Sequence, residues 1–238
     1  MPNPQTTPTP QRPGGPPTQT PARPQRRAPE YPPEFQADRY LKMDEGELLA
    51  ILKSPDSTVF QKNVACRRLA VIGTRQAVPV LAAMLTDEKL AHYARYALRP
   101  IPDPAVDDAL RAAIPKLKGK LLAGVLDTIG HRGDTKAVEP VAKLLGSADP
   151  AVSEAAAATL GQISGPAAAK ALLDALPKSK EPMRTAIADA CLVCAEGLIA
   201  QGDRKQATSI YDTLSRPEMP HTVRVAAMHT LITPDKMR

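Results

Sequence analysis

The chain has 238 residues, a formal charge of +6 and no tryptophan, and its apolar content comes mainly from Ala, Leu and Val. Such small side chains favour closely packed helices over strands, and no apolar run approaches membrane-spanning length. Arg12, Arg23, Arg26 and Arg27 precede the first acidic residue, Glu30, so residues 30–238 carry only +2; with so few aromatics, that argues against a nucleic-acid-binding body.

Residues 1–33 contain twelve prolines among Thr, Gln and Arg, a composition that buries no core and favours extended, polyproline-like chain. A disordered tail over residues 1–37 is expected. Within it, PARPQR places Pro21, Pro24 and Arg26 in the P-x-x-P-x-R form that SH3 grooves recognise, a weak signal in a proline-rich tract. The segment lacks the apolar core of a secretory signal, which favours a cytoplasmic protein, or an exported one if the chain is a piece of something larger.

From Asp38 onward the apolar spacing is helical. AVPVLAAML at residues 77–85 is echoed by AVEPVAKLL at residues 137–145. Ala77, Ala105, Ala137, Ala167 and Ala207 each open an apolar helix at intervals that suit a two-helix unit. Partner helices repeat as well: Leu90, Ala94, Leu98 and Ile101 follow Asp87 at the offsets by which Val152, Ala156, Leu160 and Ile163 follow Asp149. Those offsets fall on one helix face.

Asp103-Pro104 and Asp149-Pro150 look like helix starts, with a capping carboxylate followed by a proline that needs no donor. Gly73, Gly130, Gly146 and Gly202 stand where helices should stop. Six pairs result. First helices begin near Asp44, Gln76, Pro104, Lys136, Pro166 and Arg204, with partners near Ser57, Glu88, Lys118, Pro150, Glu181 and His221.

The stretch DPAVSEAAAATLGQISGPAAAKALLDAL, residues 149–176, resembles the short HEAT repeat of bacterial HEAT and phycobilisome-lyase-type proteins through Asp149, Val152, Ala156, Ala157, Leu160, Gly161 and Ile163. Ser153 stands where that family has arginine and Ser164 where it has the closing glycine, so the resemblance implies a weakened Asp–Arg ladder. Residues 191–214 look more like a tetratricopeptide unit, through Leu198, Gly202, Ala207 and Tyr211. The resemblance implies an all-α, right-handed α-solenoid of about six helix pairs over residues 38–238, following the disordered tail.

Chemistry-bearing clusters are sparse. Cys191 and Cys194 have C-x-x-C spacing, but inside an apolar helical run without a second ligand pair, so buried thiols and no metal are expected. Three cysteines in all, with Cys66, are too few for a disulfide framework. His92, His131, His221 and His229 fall in different units, and no catalytic or phosphate-binding motif is present. No cofactor is expected.

One polar arrangement stands out: His92, Arg95, Tyr96 and Arg99 share a helix side beside the apolar face. If second helices line the inner surface, Arg67, Arg68, Lys118 and Lys120 join them in a positive stripe suited to an acidic protein partner. Arg132 and Asp134, in HRGD, read as turn residues. The function expected is a non-catalytic protein–protein interaction scaffold with no membrane association. Two alternatives follow from fold likeness alone: a lyase or accessory factor acting on a tetrapyrrole–protein substrate, or a nucleic-acid-binding HEAT-like protein.

Overall fold

The computed structural model describes residues 38–232. The tail, including the Pro21–Arg26 motif, lies outside the described residues. Among these there are thirteen α-helices and no strand. A single turn, α1 (Asp38–Leu41), precedes six pairs: α2 (Glu45–Lys53) with α3 (Val59–Ile72), α4 (Val78–Ala83) with α5 (Ala91–Leu98), and α6 (Pro104–Ala113) with α7 (Gly119–Arg132). The remaining pairs are α8 (Val138–Ala142) with α9 (Pro150–Ile163), α10 (Gly165–Ala175) with α11 (Met183–Ala200), and α12 (Arg204–Leu214) with α13 (His221–Ile232). Every expected start lies within three residues of the observed one.

Local chemistry accounts for most boundaries. Asp44 and Glu47 form a reciprocal capping box at α2, and Thr58 and Gln61 form another at α3. Asp103 accepts from the Ala105 amide (2.8 Å) and Asp149 from the Ala151 amide (3.0 Å), each followed by proline in the first turn. The echoed segments share one form: α4 and α8 are short α turns bracketed by 3₁₀ turns. Pro79 and Pro140 supply no N–H to the preceding turn, which tightens instead. Likewise Pro115 and Pro177 end α6 and α10 in single 3₁₀ turns.

Gly73 caps α3, Gly146 ends a 3₁₀ turn, and Gly202, at φ 88, follows α11. Gly130 does not stop a helix. α7 continues to Arg132 and ends at Gly133, whose left-handed backbone (φ 67) closes the turn. Gly130 instead lies against α9, where a Cβ would meet Gln162 and the Thr159 backbone.

Two layers of helices enclose one continuous core. In one layer the second helices follow in order, α3 on α5, α5 on α7, α7 on α9, α9 on α11 and α11 on α13. In the other, α2 packs on α4, α4 on α6, α8 on α10 and α10 on α12. The face of Leu90, Ala94, Leu98 and Ile101 is buried, as is that of Val152, Ala156, Leu160 and Ile163. Each unit therefore contacts mainly its neighbours, as in an α-solenoid.

Small residues set the closest approaches. A Cβ on Gly161 would lie 2.8 Å from the Ala190 carbonyl oxygen, so α9 and α11 meet almost backbone to backbone. Ser164 closes this repeat at φ 58, a left-handed conformation that glycine adopts without strain. Its hydroxyl donates to the Gly161 carbonyl (2.7 Å) and occupies the space left by Gly197.

Ionic ties concentrate at the middle of the array. Arg132, the last residue of α7, pairs through Nε with Asp107 on α6, while its Nη1 donates to the carbonyls of Arg99 (2.9 Å) and Ile101 (2.8 Å) beyond α5. Arg111 on α6 pairs with Asp108 and with Asp134, whose other oxygen caps the 3₁₀ turn before α8. Of the HRGD residues, Gly133 and Asp134 form the turn, while His131 and Arg132 end α7, a correction for Arg132; Arg132 and Asp134 also fasten three successive units. This replaces at one place the ladder that Ser153 cannot make; Ser153 is buried and donates to the Pro150 carbonyl (3.1 Å).

Candidate functional site

The second-helix layer presents exposed residues on its outer side, and of the polar groups named from the sequence Arg67, His92, Tyr96 and Arg99 are exposed on or just beyond α3 and α5. On α5, His92 and Arg95 are three residues apart and Tyr96 one turn on from His92, which places all three on the side away from the buried Ala94 and Leu98. Arg99 follows immediately.

Two small clefts adjoin at Tyr96. Asn63 and Arg67 of α3 with His92, Tyr93 and Tyr96 of α5 border one, of about 260 Å³. His92, Arg95, Tyr96 and Arg99 with Asp127 and Thr128 of α7 border the other, of about 100 Å³. Tyr96 is 53% exposed, an unusual display for a large ring in a chain with so few aromatics. The His92 and Tyr93 rings meet edge to face at 5.7 Å.

Arg67 and Arg99 are exposed, and among the described residues neither head has a carboxylate partner. Arg95 differs. Its Nη1 donates to the Gly124 carbonyl of α7 (2.9 Å), which also accepts from Thr128 Oγ1 (3.0 Å), and its Nε is buried without a protein acceptor. Burial lowers the Arg95 guanidinium pKa from its usual value, with Asp127 partly offsetting the loss. α7 approaches closely enough here to cover the Arg95 head.

The remaining named residues are dispersed. Arg68 is half-buried, with an unpartnered buried Nε, and borders neither cleft. Lys118 precedes α7 and Lys120 lies in its first turn; both are exposed and neither borders the clefts. Asn63, Tyr93, Asp127 and Thr128 were not singled out in the sequence. Only Asn63 carried a usable signal, standing one helical turn before Arg67.

A larger groove of about 780 Å³ runs between α8 and α10 on the other layer. On its rim Glu139 is matched by Lys143 (2.9 Å) and Asp174 by Lys170 (2.6 Å), and these lysines hold both carboxyls below their ordinary range, while Lys136 and Lys178 line the groove without a carboxylate partner among the described residues. Volume alone makes it the larger feature; unpaired charge beside an exposed ring makes the α3–α5 surface the better candidate.

Cys191 and Cys194 point into the core of α11, and burial pushes their thiols up to about 12 and about 11. Such thiols stay protonated at neutral pH and are poor ligands and nucleophiles. Among the described residues no three His, Cys, Asp or Glu side chains converge as metal ligands, and no helix is long and apolar enough to cross a membrane.

The family profile described as HEAT repeats matches residues 108–191. That segment is similar to HEAT repeats. That match runs from the middle of α6 through α10 to the middle of α11. Two crystal structures of engineered proteins from the Northeast Structural Genomics Consortium are similar to this chain. One is 24% identical with a TM-score of 0.45, covering 82% of this chain and 97% of its own; the other is 23% identical with a TM-score of 0.46, covering 81% and 57%. No curated protein matches significantly.

Proposed function

We propose that this HEAT-like array is a non-catalytic protein-interaction scaffold, and that the α3–α5 surface around Tyr96 binds an acidic segment of a protein partner. HEAT-like repeats supply the coarse reading, since stacked helix pairs offer a long continuous surface suited to other proteins. The observation that carries the finer one is the unpaired, exposed state of Arg67 and Arg99 on either side of the Tyr96 ring. An arginine head without a local carboxylate is free to take one from a partner bidentately. The ring adds apolar area that pays off only when covered.

The test is a titration of a fluorescein-labelled, glutamate-rich peptide with the full chain, followed by anisotropy. Saturable binding is expected, weakened by added salt and by the double reversal R67E/R99E. Binding that ignores both would place the partner surface elsewhere.

A further inference from the structure

Along the second-helix layer, basic groups on α3 and α5 give way to exposed acidic groups on α9 and α11, while Arg184 at the start of α11 and Arg224 on α13 donate to the carbonyls of Glu218 and Pro217. α3 contains Lys62, Arg67 and Arg68 and no acid, and α5 contains Arg95 and no acid. α9 contains Glu154 and no base. On α11 the exposed stripe presents Asp189, Val193 and Glu196. Glu154, Gln162, Asp189 and Val193 border a cleft of about 240 Å³ between α9 and α11, floored by Ala158, Ala186 and Ala190.

Among the described residues the acidic groups of α9 and α11 are unmatched. Among the described residues neither Glu154 nor Asp189 has an ion pair or a side-chain hydrogen bond. Partial burial raises the Asp189 carboxyl above its ordinary range. Val193, beside it, is 45% exposed.

The two ends belong to one continuous surface. Arg95 of α5 lies on Gly124 of α7, Gln162 of α9 covers Gly130 of α7, and Ala158 of α9 shares its cleft with Ala190 of α11. Partner side chains can therefore run across all four helices without leaving the stripe.

We propose that this surface takes one extended partner segment of opposite polarity, with carboxylates over α3–α5 and an arginine in the α9–α11 cleft. The acidic end of that segment rests on the function proposed above; the basic end is new. The chemistry of the cleft favours arginine. Its floor of alanines admits an aliphatic stem, and Glu154 and Asp189 offer acceptors to a planar, forked head. Neighbouring helix axes stand about 8–10 Å apart, so two or three helix steps separate the charged regions by roughly 16–30 Å. Extended chain rises about 3.3 Å per residue, which sets about five to nine residues between the partner's acidic and basic groups.

The experiment uses the full chain and three labelled peptides of equal length: one with glutamates at one end and arginine at the other, the same in reversed order, and one with glutamates only. In anisotropy titrations at least one mixed-charge peptide should bind roughly tenfold more tightly than the acidic control. E154Q/D189N should abolish that advantage without weakening the acidic control, whereas R67E/R99E should weaken all three, with unchanged circular dichroism in each variant. An advantage that survives E154Q/D189N, or no advantage for either mixed peptide, overturns the basic end. Failure of R67E/R99E to affect the acidic control overturns the proposed function instead, so the two failures are told apart.

Discussion

The Arg95 guanidinium occupies the space that a side chain at position 124 would fill. A Cβ on Gly124 would lie 2.4 Å from Arg95 Cζ, and the Gly124 carbonyl accepts from Arg95 Nη1 at 2.9 Å. The glycine therefore admits the arginine, and the arginine ties α5 to α7. Arg95→Ala should destabilise the fold by about 1–2 kcal/mol, the range for a charge-assisted bond that is partly buried. Gly124→Ala displaces the same head but gains about 1 kcal/mol of helix propensity, so it should cost less. In the Gly124→Ala background, Arg95→Ala should have little further effect. Denaturant melts of the four proteins measure the coupling; strict additivity would mean that the two residues act separately. Arg99→Ala, at an exposed head, should change stability by less than about 0.5 kcal/mol.

Arg132 makes a second kind of tie, in which one side chain meets Asp107 and the carbonyls beyond α5. Arg132→Ala leaves Asp107 and those carbonyls without their donor and should cost about 3 kcal/mol. Arg132→Lys should recover only part of this, because a single ammonium cannot reproduce a planar fork. Chemical denaturation reads both; full recovery by lysine would reduce the tie to simple charge.

Leu98→Ala tests the core directly. Leu98 is fully buried on the α5 face, and truncation should cost about 2–5 kcal/mol through lost contacts and a cavity. A cost near that of an exposed substitution would mean that the α5 face does not pack as described.

Ser164 sets strain against a hydrogen bond. Ser164→Ala keeps the left-handed backbone and loses the bond to Gly161, so it should lower the melting temperature. Ser164→Gly loses the same bond but relieves the strain, and should melt at or above the wild type. The order alanine, then wild type, then glycine in thermal melts checks this; an alanine variant as stable as wild type would mean the bond contributes nothing.

The buried thiols give a pH dependence with a definite sign. Cys66 and Cys191 are pushed up to about 12 by burial. A folded pKa above the unfolded one means the folded state holds its proton more tightly. This contribution is fully present below the unfolded value, and it falls as pH rises from there toward 12. Thiol reagent at about pH 8 should label none of the three cysteines until the protein is unfolded. Rapid labelling of the native protein would show that α11 opens locally. Replacing Cys66 and Cys191 with alanine should flatten the alkaline loss of stability.

What the sequence determined by itself was whatever depends on residues close along the chain. The 3.6-residue period placed Leu90, Ala94, Leu98 and Ile101 on one face, and Asp-Pro pairs marked helix starts because a cap needs only its next two or three neighbours. Six pairs and their order followed, as did the shared side of His92, Arg95 and Tyr96. Periodicity names a face, but it does not say how near the neighbouring helix comes. Gly130 looked like a stop because glycine ends many helices, yet here it lets α9 approach α7; Arg95 could be given a helix side, but that α7 covers it through Gly124 could not be read. Arg132 and Asp134 could be placed at the α7 boundary, but their partners Asp107 and Arg111 stand more than twenty residues away in the chain. Close approach and ion pairing depend on the distance between elements, which side-chain volumes across the whole interface set together. Only the tertiary structure therefore decided which arginines tie helices together and which are left exposed.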